Sequence, residues 1–259
     1  ALNKVLAPAD ISAWGWRIPF FIGCLIVPFI FVIRRSLQET EEFAARVHHP
    51  TTAEIYRTLS ANWQTVIGGM AMVLMTTVSF YLITVYTPSF GKNVLKLSET
   101  DSLLVTMAVG LSNFFWLPVA GALSDRVGRK PILIFFTVLA LLTAYPALSW
   151  LISNVTFGRM LAVELWLSFL YACYNGAMVV ALTEVVPSTV RTAGFSLAYS
   201  LATTLGGSSL AISTWLIEKT GDKAAPGLWM SFAAICGLLA TLYLYRSRAP
   251  AAAPAAATS

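Results

Sequence analysis

The chain has 259 residues, of which 57% are hydrophobic and 11% are charged, and its mean hydropathy is +0.73. Since average soluble domains contain about 25% charged residues, this composition excludes an ordinary water-soluble protein. The net charge of +5 would suggest nucleic-acid binding in a soluble chain, but here the basic residues lie at the ends of apolar runs, where they set orientation in a membrane.

Apolar intervals between charged residues predict the membrane spans, because crossing a bilayer takes about 20 apolar residues. The first interval is short, but Arg17 at its edge can snorkel and extend the span back to Trp14. None of the runs shows the sustained alternation of a membrane β-barrel. The sequence therefore predicts an all-α polytopic membrane protein with seven transmembrane helices, at residues 18–33, 58–91, 102–124, 131–158, 165–183, 192–217 and 224–245.

The Lys and Arg residues predict the side of the membrane on which each end of the chain lies. Seven spans place the two termini on opposite sides, and ten of the 17 Lys and Arg residues fall on the side of the loop at 121–131. The larger set of bases marks the cytoplasmic side. We therefore expect the N-terminus of this chain outside and its C-terminus in the cytoplasm.

Two segments lie outside the predicted spans. Residues 34–60 carry four bases, four acids and both histidines, which predicts an amphipathic cytoplasmic connector with a short helix starting after Pro50. His48 and His49 are interpreted as solvated loop residues, because no carboxylate or cysteine pattern accompanies them. The low-complexity tail after residue 246 predicts disorder. The cysteines form no metal-ligand or disulfide pattern and are Cys24, Cys173 and Cys236.

The densest charge cluster is GALSDRVGRKP, residues 121–131, which we call the charged loop. Gly128 suits a tight turn because glycine tolerates positive φ, and Gly121 allows a neighbouring helix to approach closely. Asp125, a carboxylate at the membrane boundary, requires a cation or a helix N-terminus as a partner. Either the loop only sets topology, or it forms an ionic latch that opens in a second conformation. Its bases are Arg126, Arg129 and Lys130.

The charged loop resembles the signature loop of the major facilitator superfamily, G-x-x-x-D-R-x-G-R-K-P. EVVPSTVR, with Glu184, Pro187 and Arg191, is similar to the element that follows the tenth helix in related porters. WGWRIPF and RRSLQET look like the sixth helix of the metabolite–proton symporter branch. The stretches FYLITVYTP, YNGAMVVALTEV and VRTAGFSLAYSLAT are most similar to the citrate and tricarballylate proton symporters of that branch.

This resemblance implies helices six to twelve of a twelve-helix transporter, and since the chain begins at Ala1 we expect a fragment that lacks the N-terminal half. The implied parts are the sixth helix with its outer loop (1–33), a connector (34–62), the C-terminal six-helix half of the fold (63–246) and the tail (247–259). The implied function is proton-coupled symport of a di- or tricarboxylate by alternating access in a bacterial inner membrane. Its partners would be the organic anion, the proton, lipid and the missing half, without nucleic acid or any cofactor.

The resemblance also implies roles for individual residues. In similar porters an ionic network closes the cytoplasmic gate, and its members here would be Asp125, Arg126, Arg129, Glu184 and Arg191. Polar residues at helical spacing mark the helices that line the central path; they include Thr77, Tyr171 and Thr203. Single Ser and Thr residues are interpreted mainly as interhelical hydrogen-bond donors. The candidates for substrate binding are Tyr81, Thr84, Asn113, Tyr174, Asn175 and Tyr199. The candidates for conformational glycines are Gly121, Gly128, Gly206 and Gly207, the last two as a bend or close crossing.

No charged side chain lies near the middle of a predicted span, and the nearest to an exception is Glu164, close to an outer end. We therefore expect the cationic partner of the substrate and the proton-coupling group to come chiefly from the missing half.

The sequence leaves three alternatives to this function. The same fold could carry another dicarboxylate, an osmolyte or an amino acid. A seven-helix receptor would leave the charged loop unexplained, and a retinal protein would need a lysine inside the last span. An intramembrane enzyme is disfavoured because both histidines share one loop and no paired acids lie within the spans.

Overall fold

The computed structural model describes residues 10, 13–36, 51–186 and 191–246. These residues are helical nearly throughout, and no β-strand occurs among them. The predictions for His48, His49, Pro187, most of the connector and the tail at 247–259 fall outside the described residues. The chain divides into two units, residues 1–50 and 51–259, which are described separately.

The first unit contains one apolar helical stretch. A 3-10 turn at Gly15–Arg17 leads into α1 (Ile18–Cys24) and α2 (Ile26–Ser36). Its apolar side chains are exposed within the unit, Phe20 at 69% and Leu25 at 74%. Such a surface can be covered only by lipid or by other protein.

The second unit begins with α3 (Thr52–Ala61), which starts where the sequence predicts a helix after Pro50. The Thr51 amide donates to Glu54 Oε2 at 2.8 Å, and the Glu54 amide donates to Thr51 Oγ1 at 3.3 Å. This reciprocal capping box satisfies two amide donors that the first helical turn would otherwise leave unpaired.

Long apolar helices make up the rest of the second unit. They are α4 (Trp63–Val94), which contains π-helical turns at Tyr81–Tyr86 and Phe90–Val94, α5 (Glu99–Val127), α6 (Arg129–Ser153), α7 (Phe157–Val185), α8 (Arg191–Gly207), α9 (Ser209–Thr220) and α10 (Pro226–Arg246).

Six helices in the described residues are long and apolar enough to cross a membrane, and these include Gly15–Arg35 of the first unit. The predicted count of seven such helices is not confirmed. The span predicted at 192–217 is divided into α8 and α9, because the helix is interrupted at Ser208. Neither piece alone has the length of a continuous membrane span.

The interruption follows a close crossing of α8 with α4. A Cβ atom added to Gly206 would lie 2.4 Å from Thr77 Oγ1, so only glycine fits there. Thr77 Oγ1 in turn donates to the Ala202 carbonyl at 3.2 Å. Small residues of this kind allow transmembrane helices to pack backbone against backbone.

A second close crossing joins α5 to α7. A Cβ atom on Gly176 would lie 2.8 Å from the Leu117 carbonyl oxygen and 3.0 Å from the Gly121 amide nitrogen. Gly121, predicted from the sequence to permit close approach, faces this contact, although Gly176 is the residue with no room for a side chain. The two helices are therefore fixed in register by backbone contact.

Gly176→Ala is expected to destabilise the chain by about 1–3 kcal/mol, because the added methyl group overpacks against backbone atoms that cannot move aside. Gly110→Ala on α5 is the matched control, since a Cβ atom there meets nothing within 4 Å. Thermal unfolding of the detergent-purified chain, followed by tryptophan fluorescence, measures both variants. Equal midpoints for the two would contradict the crossing.

Candidate functional site

A cavity of about 180 Å³ opens among α4, α7 and α8, near the middle of α4 and α7. We call it the central cavity. Its lining is aromatic and hydroxyl-bearing. The lining residues are Thr76, Thr77, Phe80, Tyr81, Tyr171, Tyr199 and Thr203.

The hydroxyl groups of the central cavity are unevenly satisfied. Oγ1 of Thr76 and of Thr203 is buried and has no hydrogen-bond partner in the described part of the chain. The Tyr171 hydroxyl accepts from Asn175 Nδ2 at 3.3 Å, which leaves its own proton to be donated. A buried polar group without a partner costs free energy. These hydroxyls can therefore serve as donors to a polar ligand.

The backbone of α4 changes form beside the central cavity. Tyr81 begins the π-helical turn Tyr81–Tyr86, and such turns are frequent at functional sites. The Thr84 hydroxyl donates to the Phe80 carbonyl within the same region. Gly207 lies opposite, where a Cβ atom would be 3.7 Å from the Tyr81 hydroxyl.

The structure brings only some of the predicted substrate residues together. Tyr81 and Tyr199 line the central cavity, and Asn175 lies behind it as the donor to Tyr171. Tyr174 is fully buried, and its hydroxyl donates to the Met72 carbonyl at 3.0 Å. Asn113 Oδ1 accepts from Ser168 Oγ at 2.8 Å. Thr84, Asn113 and Tyr174 are not among the lining residues.

Sequence reasoning missed Thr76 and Phe80, and it noted Thr77, Tyr171 and Thr203 only as parts of polar stripes. Their spacing does contain a signal, because Thr76 and Phe80 lie four residues apart on one helix face. Phe80 by itself gives no such signal, because an aromatic side chain in an apolar helix is more often turned towards lipid or core.

Among the described residues, none that lines the central cavity is charged. No group of three or more His, Cys, Asp and Glu side chains that could hold a metal ion occurs among the described residues. A larger groove of about 440 Å³ lies between α4 and α10, but its lining is almost entirely apolar. Its two polar members, Tyr243 and Gln64, bond to each other at 2.8 Å. Among its described lining residues the groove has no charged group for an anion.

The charged loop forms a second site, where α5 ends and α6 begins. Gly128 has φ +98°, a conformation that strongly favours glycine, and the turn places Arg129 against Asp125. Arg129 Nη1 lies 2.5 Å from Asp125 Oδ1 and donates to Ser124 Oγ at 2.9 Å. Arg129 Nε lies 3.6 Å from Glu184 Oε1 on α7.

Arg129 therefore joins the ends of three helices through one side chain. It is 16% exposed, whereas Asp125 is 64% and Glu184 47% exposed, so each pair alone contributes little to stability. Arg126, also predicted for the gate, is exposed and forms no ion pair with a described residue. Arg191 is half-buried at the start of α8.

The family model of the Major Facilitator Superfamily matches residues 5–210 and 104–259. The chain belongs to the Major Facilitator Superfamily. It is therefore a multi-pass membrane protein, and the proteins to which it is similar are named as transporters, not enzymes.

Two relatives are citrate-proton symporters. The chain is 66% identical over 252 residues to the citrate-proton symporter of Klebsiella pneumoniae, covering 97% of this chain and 57% of that protein. It is 57% identical over 246 residues to the citrate-proton symporter of Salmonella typhi, covering 95% and 57%. This chain thus spans little more than half the length of these relatives.

A more distant relative is the proline/betaine transporter of Escherichia coli (strain K12). It is 26% identical over 249 residues, which cover 92% of this chain and 50% of that protein. No solved structure matches the chain.

Asp125→Asn is expected to slow transport at least tenfold in the complete transporter, because it removes the charge that holds Arg129 in this conformation. The substrate KM should change little, since Asp125 lies far from the central cavity. Asp101→Asn, at the opposite end of α5, is the matched control. Initial uptake rates at equal membrane abundance measure the effect, and a wild-type rate in Asp125→Asn would contradict the latch.

Proposed function

We propose that the chain forms helices six to twelve of a transporter that carries a di- or tricarboxylate such as citrate, together with protons, across a bacterial inner membrane. The observation that carries the proposal is the central cavity, whose free hydroxyls lie near mid-span. The two citrate-proton symporters to which the chain is similar support the choice of cargo. Hydroxyl donors suit carboxylate oxygens, each of which accepts two or more hydrogen bonds.

The central cavity is one wall of the proposed site. Its volume of about 180 Å³ is below the roughly 300–1,000 Å³ of complete ligand pockets, and its described lining residues offer no positive charge for an anion. Transporters of this kind bind substrate between two halves that rock about the site. We therefore propose that the missing N-terminal half faces the central cavity and supplies the cationic groups.

The charged loop would be the inner gate. Alternating access requires contacts that exist in one conformation and break in the other. Arg129 holds the ends of α5, α6 and α7 together here, and releasing it would let these helices separate at one face. The proposed orientation places this face in the cytoplasm, with Ala1 outside and Ser259 inside.

A zwitterionic osmolyte is the second candidate cargo. Four aromatic rings line the central cavity, and aromatic faces attract quaternary ammonium groups. The proline/betaine transporters among the relatives support this alternative. The rings belong to Phe80, Tyr81, Tyr171 and Tyr199.

Uptake by the complete transporter in proteoliposomes separates the two cargoes. With an acidic exterior, labelled citrate should accumulate, and unlabelled citrate or tricarballylate should compete with it. Glycine betaine should not compete. Accumulation of labelled betaine without citrate uptake would overturn the proposal in favour of the second candidate.

Tyr199→Phe is expected to raise the KM for citrate about threefold to tenfold, which corresponds to roughly 1 kcal/mol for one hydrogen bond. Tyr243→Phe is the matched control, because its hydroxyl lies on the apolar groove between α4 and α10. Both are measured as initial rates of citrate uptake. An unchanged KM in Tyr199→Phe would exclude its hydroxyl from the site.

Tyr174→Phe should behave differently. It removes the hydrogen bond from the Tyr174 hydroxyl to the Met72 carbonyl, which costs about 0.5–1.5 kcal/mol of stability, while the KM for citrate stays near the wild-type value. The thermal unfolding midpoint and the KM, measured on the same preparation, test this separation. A raised KM with an unchanged midpoint would assign Tyr174 to the substrate instead.

A further inference from the structure

Glu164 is a buried carboxyl group that neither the central cavity nor the charged loop uses. It lies two turns into α7, about 10 Å along the axis from Phe157, and is only 4% exposed. Its Oε2 atom is buried and makes no hydrogen bond to a described residue. No Lys, Arg or His of the described residues forms an ion pair with it.

The carboxyl group lines a small cavity of its own, of about 20 Å³, between α4, α6, α7 and α10. That volume is room for about one water molecule. Tyr86 is the other titratable residue of this cavity, and its hydroxyl is likewise buried without a hydrogen-bond partner among the described residues. Apolar side chains such as Leu82, Leu148 and Met230 form most of the remaining wall.

The polar neighbour of Glu164 is the Thr87 hydroxyl, which is already engaged with backbone carbonyls of its own helix. The Thr87 hydroxyl lies beside the carboxyl group, but Thr87 Oγ1 already donates to the Ile83 carbonyl at 2.8 Å. A hydroxyl has one proton to give, so towards Glu164 it offers an acceptor. An O–H group on Glu164 would match that acceptor, whereas a carboxylate would face oxygen lone pairs without a counter-ion.

We propose that Glu164 binds a proton and is a proton-carrying residue of the transport cycle, which places a proton-coupling group in this half and departs from the expectation drawn from the sequence. This inference deepens the proposed symport function and rests on it. In the conformation described here the group is a carboxylic acid. When the small cavity opens to water, the O–H bond breaks, the carboxylate keeps the electron pair and the proton passes to water. The reverse step reloads the site.

Movement of the helical elements near Glu164 would open its small cavity to water. Thr87 lies between the two π-helical turns of α4, where the helix departs from regular α geometry. Thr214, on α9, is close to the Tyr86 hydroxyl, and α9 begins at the interruption after Gly207. A movement of α9 relative to α8 would therefore change the exposure of Tyr86 and of the cavity that it shares with Glu164.

Glu164→Gln in the complete transporter tests the proposal, because glutamine keeps the shape but cannot exchange a proton. Citrate exchange at equal concentrations on both sides needs no net proton transfer and should be kept within about threefold. Accumulation driven by a pH gradient should fall at least tenfold. Glu218→Gln, an exposed glutamate on α9, is the matched control. Gradient-driven accumulation at the wild-type level in Glu164→Gln would overturn the proposal.

Infrared spectroscopy of the purified protein decides the question independently of transport. The wild type should show a carboxylic-acid carbonyl band that disappears in Glu164→Gln and persists in Glu218→Gln. If Glu164→Gln does not fold, Glu164→Asp should shift the band instead. If neither Glu164→Gln nor Glu164→Asp changes such a band relative to the wild type, the proposal is overturned. Failure of the wild type to accumulate citrate would instead contradict the symport function, and the band would still test proton binding at Glu164.

Discussion

Polar side chains within a bilayer depend on partners from the protein, because hydrocarbon offers none. This constraint separates the polar residues of the chain into two groups. Tyr174 and Asn113 have their partners on neighbouring helices and hold those helices together. Thr203 and Glu164 carry buried atoms without partners among the described residues, a costly arrangement in a purely structural role. Each of these two residues lines a cavity, which is where we place ligand and proton.

Close backbone packing positions these cavities. Gly206 against Thr77 brings α8 so near to α4 that Tyr199 and Tyr81 face the same space, while Gly176 fixes α7 against α5. A packed core changes between discrete arrangements instead of deforming smoothly. The π-helical turn Tyr81–Tyr86 departs from regular helix and lines both cavities. The interruption at Ser208 follows Gly207, which lies opposite Tyr81.

Hydropathy predicted most helices because burial in lipid requires continuous apolar length, and the spacing of the charged loop predicted the turn at Gly128. The rotation of each helix about its axis was not predictable. Tyr171 and Tyr174 lie three residues apart, so their directions differ by only about 60°, yet one lines the central cavity and the other is fully buried. The sequence likewise located Glu164 near an outer end, but its burial depends on side chains from α4, α6 and α10.

One helix connects the three sites. From its N-terminal to its C-terminal end, α7 carries Glu164, Tyr171 and Glu184, separated by about 10 Å and then about 20 Å along the axis. A rigid helix that shifts during the cycle would change the proton site, the substrate wall and the contact with Arg129 together. Coupling of this kind is reciprocal. If substrate binding favours opening of the contact between Arg129 and Glu184 by some free energy, opening of that contact favours substrate binding by the same free energy. The same relation holds for the proton on Glu164, since it acts through the same helix.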